Sequence, residues 1–126
     1  MPIQMEVFHP DRLVLGVGRG DITAAEYAKF LADIVQSGLL HYRKMIDVTS
    51  AFSATIGTEQ LIAFDNSLRQ SALGERRGPL AIVHDPERNL GVAEAFRALT
   101  SDARPVEIFR SIHEARKWLA AQPVKE

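Results

Sequence analysis

Ile3, Met5 and Val7 alternate with polar residues, the two-residue period of a half-buried strand, and His9-Pro10-Asp11 closes it. Leu13 to Val17 reads as a second strand, and the connection is short enough for a hairpin, so the first pair is predicted antiparallel. Asp21-Ile22-Thr23 opens a helix, because Thr23 and Glu26 have the spacing at which each side chain satisfies the other residue's free amide. Tyr27, Phe30, Leu31, Ile34 and Val35 then fall on one apolar stripe, which Gly38 ends. Lys44 to Thr49 contains Met45, Ile46 and Val48, a short apolar run suited to an interior strand, and the polar stretch from Ser50 to Thr58 reads as a loop.

From Glu59 onward, Leu61, Phe64, Leu68 and Ala72 recur at helical spacing, with Gly74 past the end. Pro79 to Val83 is another buried strand, closed by His84-Asp85-Pro86, and Val92, Phe96 and Leu99 form a third, shorter helical stripe. Pro105 to Phe109 is the last strand. Ser111 with Glu114 repeats the capping-box spacing before a final helix whose buried side is read as Ile112, Ala115, Trp118 and Leu119, with Pro123 ending it. The order β-β-α-β-α-β-α-β-α predicts an α/β fold: a five-stranded, mixed, mostly parallel sheet covered by four helices, with only the first strand reversed. Residues 1–126 are expected to form a single domain and 121–126 a frayed tail.

Composition agrees with that picture. An apolar fraction of 46% and a charged fraction of 25% over 126 residues give enough oily surface for a core without staples. The absence of cysteine removes disulfides, thiolate nucleophiles and thiolate metal sites, and fits a reducing compartment. Met1-Pro2-Ile3-Gln4-Met5-Glu6 lacks the basic and apolar regions of a leader, and no run of about eighteen apolar residues occurs, so a cytoplasmic protein without membrane insertion is expected. Fifteen Lys and Arg against 16 Asp and Glu, scattered singly or in pairs, argue against a nucleic-acid partner.

Several groups of residues resemble fragments of known sites. Gly16, Gly18 and Gly20 alternate before a helix, but the position three after Gly18 is Asp21, whose charge would repel a phosphate, so this is no dinucleotide loop. Their shared bare face suits close packing of a helix, or a groove for a ligand or partner that could also involve Phe52 and Phe64. His9, His41, His84 and His113 form neither H-x-H nor H-x-x-x-H, and no metal site or cofactor is expected. Asp47 and Asp85 lie toward the carboxyl edge of the sheet, where open α/β sheets bind ligands, although Asp47 also suits a turn-forming carboxylate that accepts backbone amides. Thr49, Ser50, Ser53, Thr55 and Thr58 gather ahead of a helix start, where a hydroxyl can cap the helix, bind an anion or accept a phosphoryl group. No G-x-S-x-G elbow accompanies them, and no catalytic residues are assigned. Arg76, Arg77, Arg97, Arg104 and Arg110 read as solvated charge.

Lys44-Met45-Ile46-Asp47-Val48-Thr49 is similar to the apolar strand ending in Asp-Leu-Ser of the SpoIIAA-like, or STAS-like, domains of bacteria, and Leu80-Ala81-Ile82-Val83 fits their next strand. Arg104-Pro105-Val106-Glu107-Ile108-Phe109-Arg110, followed by Glu114-Ala115-Arg116-Lys117-Trp118-Leu119, resembles the ending of the SpoIIAA-like group. With the ββα opening, the resemblance covers essentially the whole chain. It implies a non-enzymatic domain that docks on a protein partner or holds a small or lipidic ligand. In the anti-sigma-antagonist branch a serine within Asp-Ser-Ser-Gly at the start of the second helix is phosphorylated by a partner kinase. Here that region reads Ser53-Ala54-Thr55-Ile56-Gly57-Thr58, with only Gly57 resembling the motif's glycine, so the phosphoserine switch is not carried over and Thr55 and Thr58 are substitutes at most.

Two readings follow. In the first, a regulatory or protein-interaction module, Asp47 anchors the loop while Ser53, Thr55, Gly57 and Thr58 form the contact surface. In the second, a small-molecule or lipid carrier or sensor, a pocket lies between helices and the face of Gly16, Gly18 and Gly20, near Phe52 and Phe64. A site assembled from residues without sequence spacing leaves an enzyme as a third option. The alternation of the first strand leaves an edge that a homodimer could cover.

Overall fold

The computed structural model describes residues 3–52, 59, 62–63, 66, 70, 77–85 and 105–122. Its elements are β1 (Ile3–Phe8), β2 (Leu13–Asp21), α1 (Ala24–Gln36), β3 (Arg43–Phe52), β4 (Leu80–Val83), β5 (Val106–Phe109) and α2 (Ile112–Ala120). The five strands form one sheet in the order β1-β2-β3-β4-β5. β1 runs antiparallel to β2, and the remaining neighbours are parallel. This is the predicted mixed sheet with its first strand reversed, and it follows from connection length: a four-residue turn can only make a hairpin, whereas parallel neighbours need a crossover. The turn is closed by the Arg12 N–H donating to the His9 carbonyl at 3.1 Å.

α1 forms where its caps dictate. Thr23 Oγ1 accepts the Glu26 N–H at 3.3 Å while Glu26 Oε1 accepts the Thr23 N–H at 3.1 Å, so two otherwise orphaned donors are satisfied reciprocally. At the other end Gly38 adopts φ +71°, the left-handed conformation that costs glycine nothing. Gly38 N–H then donates to Val35 O and Leu39 N–H to Ile34 O, both at 3.1 Å, which turns the chain back toward the sheet. For α2 the Ser111 hydroxyl accepts the Glu114 N–H at 3.4 Å.

The two faces of the sheet hold separate cores. On one, Phe30 and Ile34 of α1 pack with Ile3, Val14, Val48, Leu80, Ile82 and Val106. On the other, Ala115 and Leu119 of α2 pack with Met45, Ala81 and Val83, and Trp118 and Phe109 close the margin. β4 is buried at every position, as expected of a strand covered on both faces.

Several details differ from the sequence reading. β2 continues to Asp21 and β3 to Phe52, through residues read as a glycine-rich end and a polar loop; Arg19, Gly20 and Asp21 pair with Ser50, Ala51 and Phe52. Ile112, assigned to the buried side of the last helix, is 45% exposed because it sits in the first turn, before the helix axis reaches the sheet. Of the expected four helices, two are complete among the described residues. Glu59, Ile62, Ala63, Asn66 and Gln70 are also helical and exposed, at the spacing of one helix face. Leu61, Phe64, Leu68 and Ala72, like the stripe Val92, Phe96 and Leu99, lie outside the described residues. Ala121 and Gln122, placed in the tail from sequence, are held: Arg43 Nε and Nη2 donate to the Gln122 carbonyl at 3.1 Å. No helix among the described residues is long and apolar enough to cross a membrane.

Candidate functional site

The carboxyl ends of the parallel strands form the rim on which the sequence places its candidate residues. In register across the sheet, Asp47 lies between Val17 of β2 and Val83 of β4, with Phe109 of β5 beyond. Immediately after Asp47 the β2–β3 register shifts by one residue, between Val17 and Arg19. Such a bulge interrupts the ladder and re-aims the strand. There the Asp47 carboxylate takes over: Oδ1 accepts the Thr49 N–H at 3.0 Å and the Thr49 hydroxyl at 2.7 Å. A carboxylate that clasps the residue two ahead fixes local backbone direction. Asp47 thus accepts a backbone amide, as the turn-forming reading requires, but within β3, five residues before that strand ends at Phe52. On the same rim His84 is buried, and its backbone N–H donates to Phe109 O at 2.9 Å.

Searches against protein-family models and against curated protein sequences find no match. Similarity to solved structures is extensive. An uncharacterized protein of the DUF3478 family with a SpoIIAA-like fold from Shewanella loihica PV-4 superposes with a TM-score of 0.55 at 17% identity, covering 93% of this chain and 91% of that one. An anti-sigma factor antagonist from Mycobacterium paratuberculosis superposes with a TM-score of 0.58, also at 17% identity, covering 94% of each chain. The chain has a SpoIIAA-like fold.

Within this SpoIIAA-like fold the predicted residues fall into three groups. Asp47 is on the rim as described. Ser53, Thr55, Gly57, Thr58 and Phe64 lie outside the described residues, and of Phe52 only the backbone, at the end of β3, is described. The glycines are on β2. A Cβ built on Gly16 would lie 2.6 Å from the Phe30 ring of α1, so at this position the bare face is filled by a closely packed helix. Gly18 is buried beside it, and Gly20 has open space around its Cβ position.

Sequence reasoning missed a second constellation at the opposite, amino-terminal end of the parallel strands. Lys44 is 4% exposed, and its Nζ donates to the Leu40 carbonyl and, at 2.8 Å, to the Tyr42 carbonyl. Gly78 lies against the same turn: its N–H donates to Leu40 O at 2.8 Å, and a Cβ there would lie 2.1 Å from Tyr42 O. Arg43 points the other way and donates to Asp11 O at 3.0 Å as well as to Gln122 O. Lys44 and Gly78 hold the 39–43 turn from one side while Arg43 ties it to the β1–β2 hairpin and the end of α2. An isolated lysine in an apolar strand was the available signal, since such a charge is buried only when its donors are satisfied.

Proposed function

We propose that this chain is a bacterial STAS-like regulatory module that acts by docking on a protein partner, through the surface that follows β3. The observation that carries the reading is the 94% mutual coverage with an anti-sigma factor antagonist. The Asp47–Thr49 clasp supports it, because two hydrogen bonds at the bulge fix the direction of the last residues of β3, from which the following segment departs. Residues Ser53, Thr55, Gly57 and Thr58 form the contact surface, ahead of a helix that begins near Glu59. The proposal takes residues 1–126 as one domain with four helices, the second running from Glu59 and the third around Val92 to Leu99, working in the cytoplasm. It assigns no chemistry to the rim.

Asp-Ser-Ser-Gly is absent, so docking and not a phosphoserine switch is the core of the reading. A negative charge at Thr55 or Thr58 would still change the surface by the equivalent of one or more charge-assisted hydrogen bonds. Quantitative affinity capture from bacterial lysate, run in parallel with the unmodified protein, Thr55→Glu and Thr58→Glu, tests this. The expected result is one or more proteins whose recovery changes at least five-fold between the baits. Identical recoveries across the three would reduce the segment to a structural connection.

A further inference from the structure

β1 and β5 are the outer strands of the sheet, and among the described residues the second edge of each pairs with nothing. The two edges differ in how they are protected. β5 has four residues, follows Pro105 and carries Glu107, the short, proline-flanked and charged form that discourages a further strand. β1 has six residues, with neither proline nor lysine among them, and it pairs with β2 without a register shift, so no bulge bends it away.

Which backbone groups of β1 face outward follows from the far side of β2. The Arg43 N–H donates to Arg12 O at 2.9 Å, and Leu13 is in register with Arg43, so the Arg12 carbonyl, and then Val14 and Gly16, turn toward β3. Leu13, Leu15 and Val17 turn toward β1, which makes Phe8–Leu13, Glu6–Leu15 and Gln4–Val17 the bonded pairs. The N–H and C=O groups of Ile3, Met5 and Val7 are therefore left for another strand. Their side chains lie on the α1 face, where a groove of about 650 Å³ runs beside Ile3, Met5 and Phe30. The charged side chains of α1 that line it are already engaged: Glu26 Oε1 accepts the Thr23 N–H, and Lys29 Nζ lies 3.0 Å from Asp33 Oδ2. What the groove offers a new strand is apolar surface, and it suits one with apolar residues at alternate positions.

We infer that the occupant of this edge is a second copy of the chain, its β1 antiparallel to the first across a two-fold axis at Met5. In that register every residue from Ile3 to Val7 is paired. Met5 meets Met5 and Ile3 meets Val7 through the free backbone groups, and their side chains join on the α1 face. Gln4 lies opposite Glu6 on the other face, twice, so the one carboxylate of the strand receives an amide donor. Sliding the copies by two residues sets Glu6 against Glu6 or Gln4 against Gln4 and shortens the ladder. The strand is thus complementary to itself in apolar pattern, length and charge. The contact is separate from the surface after β3, so either reading can fail without the other.

Sedimentation equilibrium of the full chain over a concentration series is the test, and a monomer–dimer equilibrium is expected. Gln4→Lys, which faces Glu6 with a cation, should tighten the dimer about five-fold, and Gln4→Glu, which faces it with a like charge, should loosen it by about the same factor. Gln4 is exposed, so neither change disturbs a core. Met5→Pro removes an outward donor without touching a β2 bond and should abolish the dimer. Disulfides read the register. The chain has no cysteine of its own, so Gln4→Cys and Glu6→Cys each carry a single thiol. Under oxidising conditions a mixture of the two should form a linked pair, and neither alone should do so readily. Thr55→Glu should leave the equilibrium unchanged. A dimer that Met5→Pro and both Gln4 changes leave unaltered, or Glu6→Cys linking to itself as readily as to Gln4→Cys, would overturn the inference. So would a monomer at every concentration, the result expected if the edge serves a different protein.

Discussion

Gly78 and Gly16 show how little room single residues have in this sheet. A methyl group on Gly78 would meet the carbonyl oxygens of Tyr42 at 2.1 Å and of His41 at 2.4 Å, both backbone atoms that cannot swing aside. Gly78→Ala is expected to lower stability by about 3 kcal/mol or more, read as a shift in the urea midpoint without a change in slope. At Gly16 the obstacle is the Phe30 ring, so Gly16→Ala should cost about 1–3 kcal/mol, and most of that should return when Phe30→Leu is added. A double-mutant cycle measures the recovery; additive losses would mean that the ring is not what limits the space. Lys44→Met leaves the Tyr42 carbonyl without its Nζ donor, and a loss of about 1–3 kcal/mol is expected. The contrast between these residues marks what a sequence can disclose. The glycine alternation was visible, and helix packing was one of its two readings. The burial of Lys44 was not, because its partners are carbonyls of a turn whose path depends on the strand that follows it.

At the scale of elements, the helix caps and the strand order follow from the sequence, whereas the strand ends do not. The Thr23–Glu26 capping box and the Gly38 stop are complete within a few residues, so their geometry is written in adjacent side chains. Thr23→Ala should lower stability by about 0.5–2 kcal/mol, with α1 amides losing exchange protection first. β2 and β3 were both read too short. Gly18 and Gly20 have no side chain to alternate, and Ser50 looks like a loop residue until its pairing with Arg19 is known. The bulge beside Val48 and Thr49 hides the strand further, since it breaks the two-residue period at the point where Asp47 clasps Thr49. That Asp47 accepts a backbone amide matches one of the two readings its sequence context allows.

Among the described residues the molecule is a sheet in sequential strand order with α1 on one face and α2 on the other, and this arrangement bears on where docking surfaces can lie. Both faces are committed to cores, which leaves the strand ends and the free edges. The hydrophobic periods disclosed the sheet, its direction changes and its two-sided covering. Under the proposed function, the segment after β3 carries the contact with a partner protein. Site-specific photocrosslinking in bacterial cells tests it most directly, with the photoreactive side chain at position 55 and, as control, at Asn66, an exposed helical residue. A discrete crosslinked protein is expected from position 55 and none from position 66. No adduct at position 55, or the same adduct from both positions, would contradict it.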